Sequence, residues 1–257
     1  MAPLNDIPEN DDTLTPLTSA QMIVLFTSVM IVAMCGIVYE LVIASVSSYL
    51  LGNSVYQFSI TIGLFMFAMG VGSYISKWFQ RDLISNFILV EVAVAVIGGI
   101  SSSLLFMLFP WPTFYRPAMY GLLIAIGTLV GLEIPLLTRI MSTKGDWKEA
   151  IANVLSLDYL GALIGSVAFP LLMLPMMGLF RSSFAVGLLN VAVALGSILF
   201  FGNKLTRYKT CLFAALAALA LLIAGVLMSE RLADFAEQKM YGDKIVYSQQ
   251  TGRFCNV

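Results

Sequence analysis

The stretch that decides the fold is Met22–Ala44, MIVLFTSVMIVAMCGIVYELVIA, in which Glu40 is the one charged residue. A helix needs about 20 such residues to cross the roughly 30 Å apolar core of a bilayer. Six further stretches reach or approach this length: Tyr56–Ser76, Ile84–Phe109, Ala118–Ile140, Val154–Met177, Ser182–Phe201 and Tyr208–Met228. The sequence lacks the short alternating segments of a membrane β-barrel. It therefore predicts an all-α integral membrane protein, a bundle of about seven transmembrane helices with a short C-terminal helix/strand tail.

Composition excludes several classes of function. The 257 residues are 59% hydrophobic and 11% charged, with a mean hydropathy of +0.90, whereas soluble domains are about 25% charged. A net charge of −1 argues against a nucleic-acid partner. The absence of histidine excludes Ser-His-Asp and Cys-His chemistry. Cys35, Cys211 and Cys255 are too far apart in sequence to indicate a disulfide framework or a zinc site.

The chain divides into three predicted parts. Residues 1–21 form an acidic, disordered tail, residues 22–229 the transmembrane helical domain, and residues 230–257 the shortened entry to a further domain. In this last part we expect a surface helix over Ser229–Met240, capped by Ser229, and then a strand over Lys244–Tyr247. A piece of this size, below about 40 residues, rarely folds alone.

Basic residues in the loops predict the orientation. Loops on the side of the N-terminus hold Lys77, Arg81, Arg139, Lys144, Lys148, Lys204, Arg207 and Lys209, whereas the opposite loops hold Arg116 and Arg181. We therefore expect a multi-pass protein of a bacterial-type plasma (inner) membrane with a cytoplasmic N-terminus. Seven spans place the C-terminal tail outside, unless one stretch is re-entrant or the N-terminus is external.

Four acidic residues lie inside the predicted spans, namely Glu40, Glu91, Glu133 and Asp158. A carboxylate at mid-membrane costs about 2.5–3.5 kcal/mol on insertion scales, and no Lys or Arg lies centrally in any span to neutralise it. These residues form a candidate intramembrane cation site, a proton path or a cavity that attracts polyamines. Alternatively, Glu40, Glu91 and Glu133 lie near helix ends and reach the interface. Pro135 predicts a helix break beside Glu133.

Other motifs predict packing rather than chemistry. Gly127 with Gly131, and Gly161 with Gly165, are G-x-x-x-G pairs that let helices approach closely. No phosphate-binding or nucleophile-elbow motif occurs. We therefore predict no catalytic, cofactor-binding or metal-binding residue in this chain.

Several segments, in order, resemble one family. They are Gly36–Glu40 (GIVYE), Ser48–Ser54 (SYLLGNS), Gly63–Ser73 (GLFMFAMGVGS), Asn153–Ala162 (NVLSLDYLGA) and Tyr241–Thr251 (YGDKIVYSQQT). Together they are similar to membrane-embedded spermidine synthases, which are polyamine aminopropyltransferases. The resemblance implies transfer of an aminopropyl group from decarboxylated S-adenosylmethionine, the implied co-substrate, to putrescine. It also implies a Rossmann-like catalytic domain beyond the membrane region, with a separately encoded catalytic domain as the expected partner.

The resemblance stops near the end of the chain. The family has a substrate-binding Gln three residues after the Thr that matches Thr251, where this chain has Phe254. We therefore expect the membrane region of such an enzyme, inactive by itself, with the lipid bilayer as its surroundings. The alternative is a stand-alone transporter or sensor of small organic cations, with putrescine or spermidine as ligands.

Overall fold

The computed structural model describes residues 18–142 and 147–241. Helices α1 to α7 span Ser19–Leu51, Ser54–Ile75, Leu83–Leu108, Pro112–Ser142, Trp147–Ala168, Leu174–Phe201 and Tyr208–Tyr241. Short 3₁₀ turns follow α2 (Ser76–Trp78) and α6 (Gly202–Lys204), and a π turn (Phe169–Met173) joins α5 to α6. The prediction of an all-helical chain is confirmed for the described residues. Most of the predicted acidic tail and the predicted strand Lys244–Tyr247 lie outside them.

Local sequence explains how α1 begins and ends. Thr18 and Gln21 form a reciprocal capping box, in which each side chain accepts a hydrogen bond from the other residue's backbone N–H. At the far end, Gly52 (φ 70°) and Asn53 (φ 50°) both have positive φ, and together they reverse the chain within two residues. The Asn53 side chain accepts from the N–H of Tyr56 and so caps α2.

The number of long apolar helices differs from the prediction. Within the described residues, six helices are long and apolar enough to cross a membrane, by length and composition alone. The predicted spans Val154–Met177 and Ser182–Phe201 fall in one run, Trp147–Lys204, of 58 residues. The run holds a non-helical backbone conformation at Gly178 (φ 69°, ψ −178°), which kinks it. A positive φ of this kind is open to glycine at little cost.

Contacts to α1 show that this run reverses direction. Gly161 lies against Met30, and Gly165 lies against Met34, so α5 runs parallel to α1. In α6, Val186 accepts from Cys35, while Phe200 accepts from Gln21, so α6 runs antiparallel to α1. The two halves of the 58-residue run therefore point in opposite directions.

The break predicted beside Glu133 does not occur. α4 continues from Pro112 to Ser142 with Pro117 and Pro135 inside it. Each proline removes one backbone donor, and a tightly packed helix tolerates this loss. The kink at Gly178 lies instead in the run that also contains the π turn.

The predicted surface helix at the C-terminus is also wrong as a separate element. α7 continues through Ser229 to Tyr241. The Ser229 hydroxyl donates to the carbonyl of Val226 at 2.7 Å and accepts from Arg181 at 3.3 Å, so it is not an N-cap. The helix-forming residues after Ser229 extend α7 without a new start.

Glycines lie where helices approach each other closely, as predicted. A Cβ on Gly131 would overlap the backbone of Met69 in α2, and one on Gly127 would press on Ala68 and the carbonyl of Phe65. In α5, Gly161 and Gly165 lie against the backbone of α1. Small residues one turn apart thus let α4 pack on α2 and α5 pack on α1.

Candidate functional site

Two of the predicted acidic residues meet in the interior of the bundle. Glu91 in α3 is 0% exposed and Glu133 in α4 is 2% exposed. Their side chains are adjacent and interact directly. Neither carboxyl group lies at a helix end, so the alternative that they reach the surface there is wrong for both. Packing of α3 against α4 creates this pair.

Within the described part of the chain, no basic side chain is found beside this pair of carboxyl groups. Within the described residues, neither carboxyl oxygen of Glu91 accepts a hydrogen bond, and neither does Oε1 of Glu133. The further charged group that interacts with Glu133 is Asp158, which is itself acidic. Two unneutralised carboxyl groups in an apolar interior are costly, and such groups are a common mark of function.

Helix α1 contributes two more polar groups to this cluster. Tyr39 and Cys35 are both 0% exposed, and each interacts with both carboxyl groups of the pair. The Tyr39 hydroxyl has no hydrogen-bond partner. Its ring lies against Gly98 of α3, where a Cβ would overlap it. Glycine at this position therefore makes room for the phenol ring in the interior, about two helical turns along α3 from Glu91.

Helix α6 carries a buried amide at the same depth. Ser183 donates to the carbonyls of Gly98 and Gly99 at 2.8 and 2.7 Å, and the next turn of α6 lies against Ala95. The helices are thus antiparallel, and the following turns bring Asn190 level with Glu91. Asn190 is 0% exposed, and neither its Nδ2 nor its Oδ1 has a hydrogen-bond partner.

The remaining two predicted residues occupy different places. Asp158 in α5 is half-buried and lies within electrostatic range of Glu133, on the side where α5 is partly exposed. Glu40 in α1 is mostly buried, and no interaction with the other three carboxyl groups is found in the described residues. The structure therefore brings together Glu91, Glu133 and Asp158, and it leaves Glu40 separate.

Sequence reasoning missed Tyr39, Cys35 and Asn190 as members of the cluster. Cys35 and Tyr39 are four residues apart on one face of α1, which is a spacing that the sequence shows. Asn190 is the one side-chain amide in the span Ser182–Phe201. Neither signal indicates which acidic residues these groups meet.

Metal binding is not supported by the ligands present. Across residues 18–142 and 147–241, no group of three or more His, Cys, Asp or Glu side chains is placed to hold a metal ion. Hard divalent cations take six or more oxygen ligands, which a carboxyl pair alone does not supply.

A separate cavity of about 620 Å³ lies at one end of the bundle. It is lined by Leu51, Phe109, Pro110, Thr113, Tyr115 and Arg116. The Tyr115 hydroxyl donates to Ser47 at 3.1 Å on its inner side. This cavity is open, and its lining includes no member of the carboxyl cluster.

The chain is similar to curated polyamine aminopropyltransferases. It is 41% identical over 227 residues to "Polyamine aminopropyltransferase" of Leptospira interrogans, covering 88% of this chain and 46% of that protein. It is 38% identical over 231 residues to "Polyamine aminopropyltransferase 2" of Ralstonia nicotianae (87% and 45%) and 35% identical over 240 residues to "Polyamine aminopropyltransferase 1" of Streptomyces coelicolor (91% and 45%). The chain spans about half the length of these relatives. No family model and no solved structure matches it.

Proposed function

We propose that this chain is the membrane-spanning helical bundle of a polyamine aminopropyltransferase. The observation that carries the proposal is the 41% identity to a curated polyamine aminopropyltransferase over 88% of the chain. The reaction of the whole protein is transfer of an aminopropyl group from decarboxylated S-adenosylmethionine to putrescine. The bundle supports and positions the part of the protein that carries out this transfer. The acidic pair of the bundle is enclosed by helices and is therefore not the site of the transfer.

The distribution of charge supports a membrane orientation. Arg139 donates to the carbonyls of Ser76 and Phe79 at 2.9 and 3.0 Å, and Thr206 donates to Asp82 at 2.6 Å. These contacts bring the basic loops to the end where α1 begins. Arg116 and Arg181 lie at the other end. By the positive-inside rule, the N-terminus is cytoplasmic.

The kink at Gly178 supports seven crossings rather than six. A straight helix of 58 residues would be about 87 Å long, nearly three times the thickness of the apolar core. Because its two halves run in opposite directions along α1, each half supplies one crossing. The two termini then lie on opposite sides of the membrane.

Labelling of single cysteines tests the orientation. The starting chain carries Cys35→Ala, Cys211→Ala and Cys255→Ser, and one cysteine is added as Arg81→Cys or Phe114→Cys. A membrane-impermeant maleimide should label Phe114→Cys in intact cells, and it should label Arg81→Cys after the membrane is opened. The reverse pattern, or recovery of the chain from the soluble fraction without detergent, would contradict the membrane arrangement.

An activity assay tests whether the bundle supports catalysis without performing it. The purified 257-residue chain, given putrescine and decarboxylated S-adenosylmethionine, should form no spermidine, whereas the Leptospira relative serves as the positive control. A chimera that carries residues 18–241 of this chain in place of the aligned part of that relative should be active. Spermidine formed by the chain alone, or an inactive but membrane-inserted chimera, would contradict the proposal.

Transport of small organic cations is a second candidate function. The observation that favours it is the acidic pair of Glu91 and Glu133, with the half-exposed Asp158 within electrostatic range of Glu133. Vesicles that contain the chain should then take up labelled putrescine, and Glu133→Gln should abolish uptake while Glu149→Gln, at an exposed residue, should not. Uptake equal to that of empty vesicles would exclude this function.

A further inference from the structure

We propose that Glu91 and Glu133 form a proton-binding site, in which the two carboxyl groups hold one proton between them and exchange it with the surroundings through Asp158. This inference goes beyond the proposed function and does not depend on it. It rests on the placement of groups on four helices, and its ligand is a single proton.

The cluster includes a buried donor within electrostatic range of the pair. The Tyr39 hydroxyl is fully buried, has no other partner, and interacts with both carboxyl groups. A phenol can donate one hydrogen bond, and an ionised carboxyl group can only accept. A pair that holds one proton offers one acidic O–H and one carboxylate. Tyr39 then donates to that carboxylate.

Charge and space select a proton rather than a larger cation. Two ionised carboxyl groups side by side in an apolar interior would repel each other, and no basic group is found beside them in the described residues. One shared proton removes half of that charge and converts the repulsion into a short, strong hydrogen bond. Both side chains are almost wholly buried, and a proton needs less space between them than an amine or a hydrated metal ion.

Three other helices place titratable or polar side chains around the pair. α1 presents Cys35 and Tyr39, α5 presents Asp158, and α6 carries Asn190 at the same depth. The Cys35 thiol donates to the carbonyl of Val186 at 3.8 Å and is therefore directed towards α6. Asp158 is the one member that is half-exposed, which makes it the point of exchange.

Infrared spectroscopy of the full chain in lipid bilayers tests the pair. At neutral pH the wild-type protein should show the carbonyl band of a protonated carboxyl group, and this band should shift in D₂O. Glu91→Gln and Glu133→Gln should each shift the band, and the double variant should lose it. Glu40→Gln, the matched control on α1, should leave it intact. A wild-type spectrum without this band would overturn the proposal.

Two milder variants keep the test informative if the glutamine variants do not fold. Tyr39→Phe removes one oxygen and should shift the band by loss of a hydrogen bond, while an unmoved band would overturn the role of the phenol. Asp158→Asn should leave the band in place but slow its hydrogen–deuterium exchange by about tenfold or more, if the carboxyl lowers that barrier by at least about 1.4 kcal/mol. Exchange at the wild-type rate would overturn the assignment of Asp158 as the exit.

Discussion

The contact between α2 and α4 depends on a glycine with no room for a side chain. These two helices form the most extensive helix–helix contact in the described bundle. At Gly131 the backbone of Met69 occupies the space that a Cβ would need. Backbone atoms cannot turn away as a flexible side chain can. Gly131→Ala must therefore push the two helices apart over part of their contact.

The magnitude follows from two opposing effects. Overpacking of a well-packed interface costs about 1–3 kcal/mol. Replacing glycine by alanine in an open helical position instead stabilises by about 0.5–1 kcal/mol. Gly121, also in α4, has no atom within 4 Å of its Cβ position, so Gly121→Ala is the matched control. The free energies of unfolding of these two variants should differ by about 1.5–4 kcal/mol.

Unfolding of the detergent-purified protein, followed by circular dichroism during a denaturant titration, measures this difference. A second matched pair lies on α2, where Gly72 faces the backbone of Thr128 and Gly70 faces open space. Gly72→Ala should be destabilised and Gly70→Ala should not. Equal stability of Gly131→Ala and Gly121→Ala would refute the close approach of α2 and α4.

Three further predictions concern single contacts, and each is measured by the same unfolding titration. Gly178→Ala should destabilise the protein by about 1–3 kcal/mol, because the backbone at this position (φ 69°, ψ −178°) is open almost only to glycine. Gly196→Ala in α6 should not destabilise it, and equal stability of the two variants would contradict the kink. Ser183→Ala should cost about 1 kcal/mol through loss of its bonds to Gly98 and Gly99, and Ser197→Ala, which removes a buried hydroxyl with no partner, should cost less; the opposite order would argue against the α3–α6 register. Arg139→Gln should destabilise by about 1–3 kcal/mol because it releases two carbonyls after α2, while the exposed Arg81→Gln should have little effect; no loss with Arg139→Gln would show that these bonds do not hold the α2 end.

The sequence predicted which acidic residues belong to the candidate site, but it did not predict which of them lie next to each other. Glu91, Glu133 and Asp158 stand out because acidic residues are rare in apolar stretches. That Glu91 and Glu133 touch, while Glu40 stands apart, depends on which helices pack together and how each is rotated about its axis. Neither the pairing of helices nor their rotation can be read directly from the sequence. The helix break predicted from Pro135 was wrong for the same reason, since neighbouring helices decide whether a proline breaks a helix.

The sequence by itself predicted that the chain is helical and apolar, and it predicted two glycine pairs that lie where helices pack closely. These features are local, because helical hydrogen bonds join residues four apart and hydropathy is a property of each stretch. Tertiary structure alone decided that α4 passes through Pro135, that α7 passes through Ser229, and that Glu91 and Glu133 lie side by side. Such meetings join residues far apart along the chain, and only the packing of whole helices brings them together.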